Sequence, residues 1–89
     1  SIFFETSVNA YFTKKQVDTV IITGANTSGC IRASAIDSFS HRYRTLVPED
    51  CVGDIDEQPH KDNLRDIGRR YVDVVDLQSC IAYIESLNS

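Results

Sequence analysis

The segment with the clearest capacity for chemistry is Gly24-Ala25-Asn26-Thr27-Ser28-Gly29, a run of small residues that leads directly into Cys30. A β-branched stretch precedes it and an apolar-periodic stretch follows, so the pattern reads as strand, tight turn, helix. A cysteine in the first turn of a helix faces unpaired backbone N–H groups and the positive end of the helix dipole, both of which favour a thiolate. The same amides suit an oxyanion formed when that thiolate attacks a carbonyl. The position also suits a small buried hydrophobe where helix meets sheet, and position alone does not choose between the two. Gly24 and Gly29 have the spacing of a phosphate cradle, but Cys30 and Ile31 stand where a P-loop requires Lys and then Ser or Thr.

The elements that would hold this turn follow from periodicity. Thr6 is placed to cap a helix running to about Gln16, with Val8, Tyr11 and Phe12 as its apolar stripe. Val17 to Thr23 is nearly continuous in β-branched residues, as expected of a central parallel strand covered on both faces. Cys30 to about His41 reads as a helix with Ile31, Ala35 and Phe39 on one side, and Tyr43 to Val47 as a strand closed by Pro48. The acidic stretch through Gly53, Asp54 and Asp56 reads as a solvated loop. His60, Leu64, Ile67 and Tyr71 then mark a helix, in which Gly68 is an interruption. Val72 to Val75 forms a third strand, and Leu77, Cys80, Ile81, Ile84 and Leu87 mark a terminal helix ending at Asn88-Ser89. The resulting order, αβαβαβα, implies parallel strands joined by crossovers with helices on the sheet faces. Three parallel strands make a thin sheet with an exposed edge, so further strands are expected ahead of Ser1.

Composition narrows the function. Of 89 residues, 42% are hydrophobic and 25% charged, which suits one packed core. The net charge of −4 argues against a nucleic-acid partner. No apolar run is long enough for a membrane span, and the first residues lack the pattern of a signal peptide. Three cysteines, Cys30, Cys51 and Cys80, form neither a disulfide framework nor a zinc site, which points to the reducing cytoplasm and to no metal or other cofactor. The absence of methionine suggests a cut inside a longer protein.

Several blocks together resemble the isochorismatase-like cysteine hydrolases, within them the N-carbamoylsarcosine amidase and maleamate amidase type. These are Ser1-x-Phe3-Phe4-x-Thr6, Val17 to Gly24, Thr27-Ser28-Gly29-Cys30-Ile31-Arg32-Ala33, Val47 to Asp54, and Pro59-His60-x-x-Asn63-Leu64-x-Asp66-Ile67. The resemblance implies a three-layer αβα, doubly wound α/β fold of which residues 1–89 are the C-terminal half of one domain. It implies Cys30 as the nucleophile of an Asp, Lys and Cys set, the first two lying before Ser1. It further implies an oxyanion hole from the backbone N–H groups of Asn26 and Cys30, with a cis peptide between Ala25 and Asn26. The expected reaction is cleavage of a small molecule's amide or carbamoyl C–N bond through a thioester, and the expected assembly a homo-oligomer. The competing reading is a non-catalytic relative serving as an interaction or scaffolding module.

Other residues carry weaker expectations. Thr27 and Ser28 either contact substrate or cap the helix, with capping favoured for Ser28. His60, at the start of a helical stripe, is expected to make a structural hydrogen bond. Where the carbamoylsarcosine type places an Arg for a substrate carboxylate this chain has Ile55, which suits a neutral amide unless Arg32 supplies the charge. Arg42 and Gln16 replace glycines, so Arg42 either takes a positive φ or ends its helix differently.

Overall fold

The computed structural model describes residues 1–87, so the expected end at Asn88-Ser89 lies outside the described residues. Helix α1 (Val8–Lys14) leads to β1 (Thr19–Ile21) and a short strand β2 (Gly24–Ala25), then a π-turn (Thr27–Ile31) running into α2 (Arg32–Ser40). Strand β3 (Arg44–Pro48) passes through a single 3-10 turn (Glu49–Cys51) to β4 (Val52–Gly53). Helix α3 (Glu57–Arg70), β5 (Asp73–Val75) and α4 (Leu77–Ser86) complete the chain. The strands are parallel and form one sheet in the order β1-β3-β5, with β2 and β4 paired as a smaller one beyond its carboxyl edge.

Alternation along β3 separates the two helical layers, because successive side chains point to opposite faces of a strand. Thr45 faces α2, where its hydroxyl meets that of Ser38 at 2.6 Å, and Val47 joins Ile31, Ala35 and Ile67 in the main core. Arg44 points the other way and lies over the Tyr83 ring of α4, 5.5 Å from its centroid. The sheet is therefore sandwiched, as the three-layer expectation requires.

The structure refines two expectations and corrects a third. The strand expected at residues 17–23 pairs with β3, which lies between β1 and β5: Thr45 to Pro48 are buried, whereas Thr19 to Ile21 are half-buried, with one partner strand among the described residues. The terminal helix forms where its apolar stripe marks it, and of that stripe only Cys80 is buried. Leu77, Ile81, Ile84 and Leu87 are exposed because the helix docks on the sheet through the neighbouring Tyr83 and Cys80 side. Thr6 does not cap α1; the helix starts at Val8 after Ser7, and the Thr6 hydroxyl accepts the Val8 N–H while donating to the Ile2 carbonyl.

Both glycine replacements adopt the left-handed conformation, Gln16 at φ 59° and Arg42 at φ 68°. Each sits just past its helix with paired backbone bonds that close the last turn. For α2, Arg42 N–H donates to the Phe39 carbonyl at 2.9 Å and Tyr43 N–H to the Ser38 carbonyl at 3.1 Å. Gly68, which reads as an interruption of α3, is instead a contact point: a Cβ there would lie 3.0 Å from the Val74 Cγ2 of β5. The opening segment is tied down by Phe3, whose ring stacks on Tyr43 at 6.0 Å and meets Phe12 edge-on at 6.2 Å.

Two outcomes follow for stability, both measurable by urea denaturation. Arg42→Gly relieves the left-handed strain and raises stability by about 1 kcal/mol. Thr45→Val strands the buried Ser38 hydroxyl and costs about 1–3 kcal/mol, most of which returns in the Ser38→Ala/Thr45→Val double variant.

Candidate active site

The turn before Cys30 is held at its start by the small sheet, in which Gly24 pairs with Val52 and Ala25 with Gly53. Gly24 is at φ 113°, a conformation that favours glycine, and the Ala25–Asn26 peptide is cis. Asn26 is extended and a helical turn opens at Thr27, but it is kinked at Gly29, so the run that continues into α2 sets out from Cys30, where the helix is expected to start. The kink lies at Gly29, whose torsions of −113° and −106° are not helical. In a regular α-helix the Cys30 N–H would donate to the Asn26 carbonyl four residues back. Here that carbonyl accepts the N–H groups of Gly29 at 3.0 Å and Ile31 at 3.2 Å. The π-turn thus passes over the Cys30 amide.

Side chains from three later positions grip this segment. Thr27 is 0% exposed, with its hydroxyl 2.7 Å from His60 Nδ1 on α3, so His60 has the structural role its position suggests. Asp54 Oδ2 accepts both the N–H of Ser28 at 2.8 Å and its hydroxyl at 2.5 Å. The Ser28 side-chain bond, then the Ser28 backbone bond, hold the Asp54 carboxyl below the usual carboxylate range. Arg32 Nη1 donates to Asp66 Oδ2 at 2.6 Å and to Asn63 Oδ1 at 3.1 Å, and the Arg32 hydrogen bond holds the Asp66 carboxyl low.

The structure revises the expectations for five residues. The hydroxyls of Thr27 and Ser28 are committed within the chain, and Ser28 does not cap its helix. Asp54 is an anchor rather than part of a solvated loop. Arg32 is already paired with an acid, and Ile55, which was expected to shape a pocket, is 88% exposed. Sequence reasoning recognised Gly53-Asp54 as part of a block but missed its link to Ser28, since nothing local joins residues 26 apart.

Cys30 is exposed and lines a hollow of about 570 Å³ with Phe3, Val20, Ile22, Ala25 and Ser34 among its walls. It sits just beyond the carboxyl end of β1, where ligands bind in open parallel sheets. The other thiols differ: Cys51 is half-buried and Cys80 is buried on α4, where desolvation pushes its thiol up. Among the described residues, Lys61 pairs with Glu57 at 2.9 Å, Lys15 lies over the Tyr11 ring, and Asp18 accepts the Thr19 hydroxyl at 2.9 Å. None of these lines the hollow beside Cys30. No group of three or more His, Cys, Asp or Glu side chains able to hold a metal occurs among the described residues.

Residues 1–79 match the Isochorismatase domain. The chain is 46% identical over 87 residues to the maleamate amidohydrolase of Pseudomonas putida, a span of 98% of this chain and 41% of that relative. It is 31% identical over 87 residues to an N-carbamoylsarcosine amidase from an Arthrobacter species, covering 98% and 33% of the two. The chain therefore spans less than half the length of the curated relatives it matches. Among solved structures, an isochorismatase-like hydrolase from Alkaliphilus metalliredigens superposes with a TM-score of 0.86 at 26% identity, over 91% of this chain and 45% of that one. An isochorismatase family protein from Desulfovibrio vulgaris gives 0.88 at 24% identity, over 96% and 45%. With its parallel sheet, its layered helices and a match over most of its length, the chain belongs to the isochorismatase family.

Proposed function

We propose that these residues carry the nucleophile of an amidohydrolase that cleaves a C–N bond in a small-molecule amide. Cys30 attacks the amide or carbamoyl carbon, and the oxyanion is held by the N–H groups of Asn26 and Cys30. Ammonia or an amine leaves, and water cleaves the thioester to free the thiol. The observation that carries this reading is an exposed sulfur lining a hollow at a π-turn that routes the Asn26 carbonyl away from the Cys30 amide. The amide chemistry is supported by the relatives, which are named as hydrolysing maleamate and N-carbamoylsarcosine.

The acid that takes the thiol proton and the lysine of the set belong, in this proposal, to polypeptide outside the 89 residues, which form the C-terminal half of a single domain. Substrate contacts on this half fall to backbone amides and to the apolar walls of Phe3, Val20 and Ile22, because the nearby hydroxyls and Arg32 are engaged. Three free thiols suit the reducing cytoplasm, and the exposed Leu77, Ile81 and Ile84 side of α4 supports a homo-oligomer. The same apolar side is the observation that favours a non-catalytic interaction module, and activity measurements separate the two readings.

In the protein bearing these residues, Cys30→Ser and Cys30→Ala lower ammonia release from maleamate by about a thousandfold or more while circular dichroism is unchanged. Retention of wild-type turnover by Cys30→Ala rules the nucleophile out. A separate check is the order of alkylation by iodoacetamide at neutral pH, followed by peptide mass mapping. Cys30 reacts first and Cys80 last, because Cys80 is both buried and pushed up. Equal labelling of the two rejects the assignment of Cys30 as the accessible thiol.

A further inference from the structure

We propose that Asp54 is a positioning residue for Cys30, gripping the turn through Ser28 and so fixing where the sulfur and its amide sit. This rests on the reading of Cys30 as nucleophile.

The turn's own backbone bonds begin at the Gly29 N–H and leave the Ser28 N–H to be satisfied from elsewhere. Asn26 opens the helical segment without a side-chain cap, and Gly29, directly before Cys30, departs from helical torsions. A segment of that kind needs its first N–H groups satisfied from elsewhere. Asp54 does this from 26 residues downstream. Strand β4 pairs with β2 so that Gly53 lies beside Ala25, which brings the next residue, Asp54, alongside the start of the turn. One carboxylate oxygen then takes the Ser28 N–H at 2.8 Å and the Ser28 hydroxyl at 2.5 Å. The other takes the Ile55 N–H at 2.7 Å, which fixes the rotation of the carboxylate itself. Three hydrogen bonds therefore lock both the anchor and the residue two places before Cys30.

Asp54 does not serve as a proton carrier in this scheme. Both of its oxygens accept, and its bonds to Ser28 keep it ionised well below neutral pH. Thr27 and His60 hold the same turn from the buried side, and their bond supports the fold. The Asp54 grip is exposed, where a hydrogen bond adds little to stability in water. Its weight is geometric, since misplacing a reacting group by about 1 Å costs on the order of a hundredfold in rate.

The test uses the protein bearing these residues, assayed by ammonia release from maleamate and from N-carbamoylsarcosine. Asp54→Ala lowers kcat by about 10–100-fold, moves KM by less than about threefold and leaves the melting temperature nearly unchanged. Ser28→Ala lowers kcat less, and the Ser28→Ala/Asp54→Ala double variant is no worse than Asp54→Ala alone, because one grip is lost in both. If Asp54→Ala fails to fold, Asp54→Asn takes its place: it keeps one acceptor and loses the second, so a kcat reduced by about 3–10-fold is expected. A kcat within about twofold of wild type in the informative variant overturns the proposal. So does an effect confined to KM, or losses at Ser28 and Asp54 that multiply independently. Cys30→Ala is run alongside: an inactive Cys30→Ala beside an unimpaired Asp54 variant removes only the positioning role. An active Cys30→Ala, or a wild type that hydrolyses neither amide, removes the reading of Cys30 on which it stands.

Discussion

The arrangement around Cys30 depends on one constraint: a turn whose irregular backbone leaves the Ser28 N–H without an internal partner must be held there by a side chain from elsewhere in the chain. Residues 26 to 32 combine a glycine outside helical torsions with a π-type hydrogen bond, so local geometry alone does not define where Cys30 lies. The definition comes from His60 on Thr27, Asp54 on Ser28, and Asp66 with Asn63 on Arg32. Three of these four partners lie on α3. Spaced three residues apart, His60, Asn63 and Asp66 fall on one side of that helix and track the axis of the segment they hold. Helix α3 is anchored in turn by Ile67, which is fully buried against the core.

This clamp explains where the apolar material goes. The face of α3 that holds the turn is polar, so the helix contributes one fully buried side chain, Ile67, with Leu64 and Tyr71 partly covered. The core is completed by residues that meet it from other elements: Ile31 and Ala35 from the turn and α2, Val47 from β3, Val52 from β4 and Ile22 after β1. Gly68 permits the close approach of β5 on the same side. Packing and site thus share one framework. The helix that buries Ile67 also carries His60 to Thr27, and β3, whose Thr45 and Val47 meet α2 and the core, leads directly through the 3-10 turn to β4 and Asp54.

The order of the helices and of the three strands in the main sheet was legible from the β-branched run before Gly24, the i, i+4, i+7 and i+11 stripe from His60 to Tyr71, and the short runs at 43–47 and 72–75, whereas the dipeptide strands β2 and β4 are too short to show a period. At Arg42, where the resemblance places a glycine, positive φ and a different helix end were both open, and the structure takes the left-handed close. Hydrophobicity did not by itself fix burial. Residues 17–23 are apolar enough for a central strand, and β1 is half-buried with one partner strand among the described residues, whereas β3 has two. Leu77, Ile81 and Ile84 have the spacing of a core stripe, yet the helix docks through Tyr83 and Cys80 instead.

The site was legible to the level of residue types and no further. Small residues ahead of a cysteine at a strand-to-helix junction are a local signal, and Cys30 does lie exposed beyond the strand's carboxyl end. The extra turn ahead of Cys30 was not legible, because a π-turn at Gly29 leaves no mark in hydrophobic period. It depends on a backbone choice that glycine allows but does not announce. The hydroxyls of Thr27 and Ser28 looked available for substrate because their partners are distant in sequence, 33 and 26 residues away, and arrive only when β4 pairs with β2 and α3 packs beneath. A polar side chain in a turn has many ways to be satisfied, and the fold selects one. An acidic residue after a Gly in an otherwise solvated run, as Asp54 is, looks surface-bound until the parallel pairing of two dipeptide strands carries it to the amide it serves.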